Sequence, residues 1–515
     1  MKNTLFVLIL LWGSCHAESK TSSGEKYYVD CSGSVDGNGS KKKPWNTLAS
    51  VNRFTFKPGD AILLKRGTKA VGELWPKGSG NENAQITIDT YGKGANPIID
   101  AQGVENSAGI RLSNQEYWTI QNIEVTNNAA TLAKRWGIYV FSDDGQVKHR
   151  IRIKNNIIHD VYASYIRTRQ KGTKTTTFYE VGGIYVKVSE PGSMDDVLIE
   201  GNQVTDVVGI GISFWGESEF SGGGMNWNNL SPNVVVRGNT VVRTGADGIL
   251  ILGTDNELIE YNRVDHAGFH GKIGDVPGQL AKNGTDAIAG LWPTRHRNGL
   301  VQYNEVSNTH RFYGDGQAFD NDMYVSGTTI FQYNYSHNNE GGFFLDCCKP
   351  EDTNTGTIVR YNISQNDGDV EYLGFGKGIA LVYNNVFYTE DSIRINGPSN
   401  NVFYNNIFWG KDGIWHDKVP AVIKTGVNIF DYNSYYGGMI PPVDANKIVS
   451  DPRFVNPGTG TKGLKSLDGY KLSDGSPCFQ RGKIIPDNGG KDFWNNKVTD
   501  SSPPSIGVFN GGVVK

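Results

Sequence analysis

The chain has 515 residues, 50 of them Lys or Arg against 53 Asp or Glu, for a net charge of −3. That balance leaves no basic stripe and argues against nucleic acid as the partner. Sixty-five glycines, with 11 Trp, 24 Tyr and 22 Phe and few helix-favouring runs, point to a turn-rich, β-dominated protein.

The chain opens as an export signal: Lys2, an apolar run from Leu5 to Trp12, then Cys15-His16-Ala17. That run is too short to span a bilayer, so residues 1–17 are expected to be removed and the mature protein to be secreted or periplasmic. A lipid anchor at Cys15 is the alternative, disfavoured by Trp12 upstream. No later apolar run suits a membrane helix. The mature chain keeps Cys31, Cys347, Cys348 and Cys478. Adjacent Cys347 and Cys348 read as two small residues on opposite faces, because no CxxC or clustered histidines accompany them.

From residue 150 a pattern recurs: RIRIKNNII (150–158), DVLIEGNQV (196–204), NVVVRGNTV (233–241), NELIEYNRV (256–264), NGLVQYNEV (298–306), TTIFQYNYS (328–336), GTIVRYNIS (356–364), IALVYNNVF (379–387) and NNVFYNNIF (400–408). Its asparagines are Asn156, Asn202, Asn239, Asn262, Asn304, Asn334, Asn362, Asn385 and Asn406. The shortest steps, 239 to 262, 362 to 385 and 385 to 406, set a coil of about 22 residues, with insertions in the longer steps. Short alternating strands with an asparagine at each bend predict a parallel β-solenoid, the asparagine tolerating a left-handed backbone and bonding the next one up the stack. Leucine-rich repeats lack their LxxLxL spacing here, and a β-sandwich would not repeat one asparagine at this interval.

With these repeats in hand, the chain resembles the right-handed parallel β-helix proteins of the pectate-lyase-like superfamily over nearly its whole length. YYVDCSGSVDGNGSKKKPWNTLASV (27–51) and FKPGDAILLKRG (56–67) look like the amino-terminal cap of extracellular members, and SDPRFVNP (450–457) with YKLSDGSPC (470–478) like their carboxy-terminal closure. The expected organisation is one domain over 18–515: cap and first coils over 27–110, central coils over 111–410 and closure over 411–515. The resemblance implies the fold more strongly than the reaction, since the superfamily holds glycoside hydrolases, polysaccharide lyases, epimerases and tailspikes.

A second short strand follows each asparagine: GIYVKV (183–188), GIGISF (209–214), GILILG (248–253), AIAGLW (287–292), AFDNDM (318–323), GFFLDC (342–347), DVEYLG (369–374) and SIRING (392–397). Laid over one another, their second and fourth places face inward and their third and fifth outward. Asp320 and Asp322 then share the outer face, about 6.6 Å apart between α-carbons, and Asp346 lies beside Asp322 one coil on at about 4.8 Å. Asp315 precedes them in a Gly-Asp-Gly turn. Strands disfavour aspartate and lateral like charges repel, so the cluster reads as chemistry more readily than as a solvated face. Two carboxylates at such distances suit glycoside hydrolysis; the alternative is a calcium-assisted uronan lyase or epimerase.

Long glycine- and aromatic-rich insertions at 214–229 and 266–298 precede the aspartate coil and suggest cleft walls, with Trp215, Trp227 and Trp292 as sugar platforms. Arg295, His296, Arg297, His310, Arg311 and His337 fall near the same coils, and Glu340 is a further carboxylate at a turn. The expectation is a monomeric, secreted glycoside hydrolase without a cofactor, acting on a polysaccharide or oligosaccharide. Asp322 and Asp346 are the acid/base pair, with Asp320 supporting the attacking water. Asp315, Trp215, Trp292, Arg295, His296, His337 and Glu340 bind substrate. The aspartates resemble in kind the three-aspartate sites of polygalacturonase-like hydrolases, but the Gly-His-Gly and Arg-x-Lys elements of those enzymes are not evident. Lys187 and Arg394 lie coils away from the aspartates, which ranks the lyase, with calcium as its cofactor, second. A non-catalytic carbohydrate-binding solenoid is the third reading.

Overall fold

A computed structural model describes residues 24–512, apart from 130, 132, 164–179, 217–225, 270–286, 312–313, 348–354, 369–371, 376–378, 397–400 and 416–427. Among them, short strands stack into three parallel sheets of 14, 13 and 11 strands, each coil giving one strand to each sheet along the central stretch. This is a right-handed parallel β-helix. Its first coil begins at the strand Lys26–Val29, and the helix Leu48–Arg53, capped by the Thr47 side chain, packs Leu48 and Val51 into the core. No described helix is long and apolar enough to cross a membrane.

The asparagines stand at the corner between the 14- and 13-stranded sheets and are buried. From Asn202 to Asn433, each Oδ1 accepts the backbone N–H of the ladder asparagine one coil earlier at 2.9–3.1 Å. The ladder ends on the Asp444 carboxylate, which accepts from Asn433 N at 3.1 Å. The left-handed backbone falls one residue earlier than expected, on Asn155, Gly201, Gly238, Tyr261, Tyr303, Tyr333, Tyr361, Asn384 and Asn405. The turn residue bends the chain and the asparagine turns its amide inward, so the two duties belong to neighbouring residues.

The carboxy-terminal segment lies along the side of the coils as well as at their end. Gly463 N donates to Glu305 Oε2 at 3.0 Å, Tyr333 Oη to the Lys491 carbonyl at 3.0 Å and Asn384 Nδ2 to the Ser505 carbonyl at 2.8 Å. It covers the corner bearing Tyr303, Tyr333 and Tyr361. Cys31 and Cys478 are free thiols; Cys348 lies outside the described residues.

Register in the 11-stranded sheet differs from the sequence overlay at several strands. Ile212, Leu291 and Leu373 fill the inward column of Ile184, where the overlay put Ile210, Ile288 and Val370, and the strand Gly342–Cys347 slips by one residue, which is decisive for Asp346. In the earlier coils the first inward position is glycine, because a Cβ there would come within 2.2–2.5 Å of a valine of the 13-stranded sheet: Gly183 against Val204, Gly211 against Val241, Gly248 against Val264, Gly290 against Val306. Ala318 and then Phe343 follow in that column, where the valine series gives way to Ser336 and Ser364. Phe343 and Phe344 are therefore both buried in the core, and the alternation starts one residue later in this strand. The strand Gln317–Asp322 pairs with Gly342–Cys347 as Phe319–Phe344, Asp320–Leu345, Asn321–Asp346 and Asp322–Cys347. A one-residue slip exchanges the faces of a strand, so Asp346 lies on the inner face beside Asn321, not beside Asp322.

Candidate functional site

Phe319 is core and Asn321 is bonded inside the helix, which puts Asp320 and Asp322 on the outer face of their strand. The register Leu291–Phe319 and Thr294–Asp322 sets Trp292 next to Asp320 and Thr294 next to Asp322. Asp320 is 4% exposed, whereas Asp322 and Asp315 are half-buried. Asp315 sits at φ 55° in a two-residue strand paired with Ala287–Ile288. A Cβ on Gly341 would lie 2.0 Å from its carbonyl oxygen, so the next coil fits against that turn only as glycine.

Burial pushes the Asp320 carboxyl well above the usual carboxylate range, and the charges of Asp322, Asp315, Asp346 and Asp247 add to it. Both effects favour the protonated form of Asp320, in which its carboxyl can donate as well as accept.

The outer face around the aspartates is a floor of buried side chains. Ile210, Leu250, Ala289 and Trp292 form one apolar cluster, Trp136, Tyr139 and Tyr185 a second, and half-buried Trp215 touches both. Set in this face are buried polar atoms with no hydrogen-bond partner among the described residues: Ser213 Oγ, Trp292 Nε1, both amide atoms of Gln317, Asp320 Oδ1 and Asn396 Oδ1. Buried polar groups in proteins are normally paired. A row of orphaned donors and acceptors beside an apolar floor suits a sugar, whose ring faces are apolar and whose hydroxyls donate and accept.

Of the remaining expected residues, Trp292 and Trp215 join this face, while Trp227 is half-buried in the short described part of its insertion. Most of the two insertions, 217–225 and 270–286, lies outside the described residues. Arg295 is half-buried at the end of the strand Leu291–Thr294, its N–H donating to the Met323 carbonyl at 3.0 Å. Glu340 is exposed at the rim and accepts from Arg311 N at 2.7 Å, with His310 Nδ1 at 3.1 Å from its other oxygen. Arg297 pairs with Asp255 at 2.6 Å. Two expected substrate contacts lie elsewhere. His296 is fully buried inside the β-helix, and His337 belongs to the 13-stranded sheet, stacked on Tyr335 and 3.4 Å from Glu305. Sequence reasoning passed over Gln317 and Asp247, the latter buried and accepting from Ala289 N at 2.8 Å. The Ala-Asp-Gly of 246–248, an acidic residue at a strand entry like Asp315, was its only signal. Among the described residues no group of three or more His, Cys, Asp or Glu has the arrangement of a metal site.

Strands and register together define a right-handed parallel β-helix, and comparison with known proteins agrees on that fold. Residues 27–181 match the family described as Pel9A-like, right handed beta helix region. A lacto-N-biosidase of Bifidobacterium longum subsp. longum is 27% identical over 96% of this chain. The chain spans 37% of the length of that relative. Among solved structures, the GH136 lacto-N-biosidase of Eubacterium ramulus superposes with a TM-score of 0.60 at 23% identity, covering 80% of this chain and 67% of its own. The XylC–xylose complex superposes at 0.50 with 11% identity over 95% of this chain and 98% of its own. These two likenesses establish the fold.

Proposed function

We propose that the protein is an exported glycoside hydrolase that cleaves an oligosaccharide on the outer face of the 11-stranded sheet. The observation that carries this is the row of buried, unpartnered polar atoms set among three aspartates and an aromatic floor. The 27% identity to a lacto-N-biosidase across 96% of the chain supports hydrolysis and makes a lacto-N-bioside the first substrate to test.

Exposure supports a division of roles. Asp315 and Asp322, half-buried at either side of Asp320, reach a bound glycosidic bond and form the reacting pair. Asp346 drops out of the pair because its strand slips by one residue. Asp320, buried and biased towards its protonated form, supports them by limiting the negative charge of the cluster, so that one neighbour ionises while the other keeps a proton for the leaving oxygen.

Incubation with p-nitrophenyl lacto-N-bioside and with neutral and uronic polysaccharides tests this. The expected products are nitrophenol or new reducing ends. An ultraviolet-absorbing unsaturated uronide would replace the hydrolase with the lyase; absence of any product with retained binding would leave a carbohydrate-binding solenoid.

A further inference from the structure

One inward column of the 11-stranded sheet runs Leu112, Val140, Val186, Phe214, Ile251, Pro293, apolar coil after coil. At the aspartate coil it becomes Asn321, and one coil on Asp346. A polar chain starts there, inside the solenoid. Thr254 Oγ1 donates to Glu257 Oε2 at 3.0 Å, the other Glu257 oxygen pairs with His296 Nδ1, His296 Nε2 lies 2.9 Å from Asn321 Oδ1, and Asn321 Nδ2 donates to Thr357 Oγ1 at 3.1 Å. All five residues are at most 1% exposed. Gly299 makes room for them: a Cβ there would lie 2.3 Å from Glu257 Oε1 and 2.8 Å from His296 Cε1.

Nδ1 lies against the Glu257 carboxylate and Nε2 against the Asn321 amide oxygen, two acceptors that favour the doubly protonated, positively charged ring. Burial lowers its proton affinity, and Glu257, Asn321 and Asp346 together outweigh that loss. Replacing a buried ion pair by apolar packing is often neutral or stabilising, and the preceding coils do pack apolar side chains here. The charged chain instead coincides with the strand that carries Asp320 and Asp322 and holds the residue between them.

We propose that His296 is a positioning residue: through Asn321 it fixes the backbone between Asp320 and Asp322, and it sets a positive charge behind their carboxylates. The proposal rests on the reading of the outer aspartates as the reacting groups. The titratable groups around the ring are Glu257 and Asp346 inside the helix and Asp320 and Asp322 across the strand, Asp320 being the one that burial biases towards its neutral form; Thr254, Asn321 and Thr357 are neutral.

The test uses the full chain with His296→Gln and, as a second variant that keeps an acceptor for Nδ1, Glu257→Gln. Carboxyl titration of 13C-labelled aspartate is read by NMR beside kcat, KM and thermal melting. Expected for His296→Gln are carboxyl midpoints of the cluster raised by about one pH unit, a tenfold change in ionisation, with kcat down at least about tenfold and KM within about twofold. Glu257→Gln shifts the same resonances even if His296→Gln does not fold. Unmoved midpoints, with or without a lower melting temperature, would overturn the proposal. Moved midpoints with wild-type kcat would uphold the charge behind the strand and remove the aspartates from the chemistry.

Discussion

Asn304 stands in the ladder just before the coil that delivers Asp315, Asp320 and Asp322, and its replacement by alanine has a cost that follows from its bonds. Its Oδ1 accepts from Asn262 N and Asn262 Nδ2, both at 3.0 Å, and its Nδ2 donates to the Ile259 carbonyl at 2.9 Å and to Asn334 Oδ1 at 3.0 Å. Asn304→Ala removes all four and leaves the Asn262 N–H facing a dry interior. At about 1 kcal/mol net for each bond, with the orphaned donor at the upper end of that range, the loss is about 3–5 kcal/mol, a large share of a typical domain's stability of about 5–15 kcal/mol. Asn304→Asp restores two acceptors but, when ionised, opposes the Ile259 carbonyl and Asn334 Oδ1; its loss is larger at pH 7 than at pH 4, where the acid donates one bond. Urea unfolding followed by circular dichroism at both pH values measures this. A loss below about 1 kcal/mol for Asn304→Ala would refute the view that the ladder holds the coils in register.

Asp322→Asn and Asp315→Asn each lower kcat by about 10²–10⁴ with little change in melting temperature, the range expected when an acid or base is removed; Asp346→Asn, from the inner face, lowers it by less than about tenfold, checked by steady-state kinetics on the aryl glycoside. Asp320→Asn acts through stability as well. Its folded-state pKa lies above the unfolded value of about 3.9, so above that pH the native state binds more protons than the unfolded one and stability falls as pH rises. The asparagine variant removes this penalty: its stability relative to wild type grows from about pH 4 upward and is unchanged below, and a pH-independent difference in urea melts would contradict the assignment. Chelation with EDTA leaves kcat unchanged under the hydrolase reading, and loss of activity on chelation favours the calcium-assisted lyase.

What the sequence made legible was what one residue type must repeat. The ladder asparagine recurs because only a side chain with both donor and acceptor links coil to coil in a dry corner, and the coil length and fold class follow from it. The outward placement of Asp320 and Asp322 was equally readable, since Phe319 and Asn321 keep period two within one strand. Comparison between strands was not. The overlay aligned Gly342 with Gly183 and Gly248, whereas the solenoid aligns Phe343 with Gly183 and Gly290, because the opposing sheet offers serine where it had offered valine. That exchange sits on the neighbouring sheet, away along the chain from the strand pattern that would have to reveal it, and it sends Asp346 inward. His296 misled for a related reason: flanked by Arg295 and Arg297 it reads as surface, yet its partner Glu257 lies one coil back and is itself buried. Orphaned atoms such as those of Gln317 and Trp292 leave no trace in a sequence, because they are defined by what fails to contact them.

The most direct test of the account is a crystal structure of Asp322→Asn soaked with an oligosaccharide ending in a lacto-N-bioside unit. The account predicts a sugar lying on the outer face of the strand Gln317–Asp322, its scissile oxygen between residues 315 and 322 and its hydroxyls on Gln317 and Trp292 Nε1. Sugar bound on either of the other two sheets, or on this sheet away from Asp315 and position 322, would contradict it.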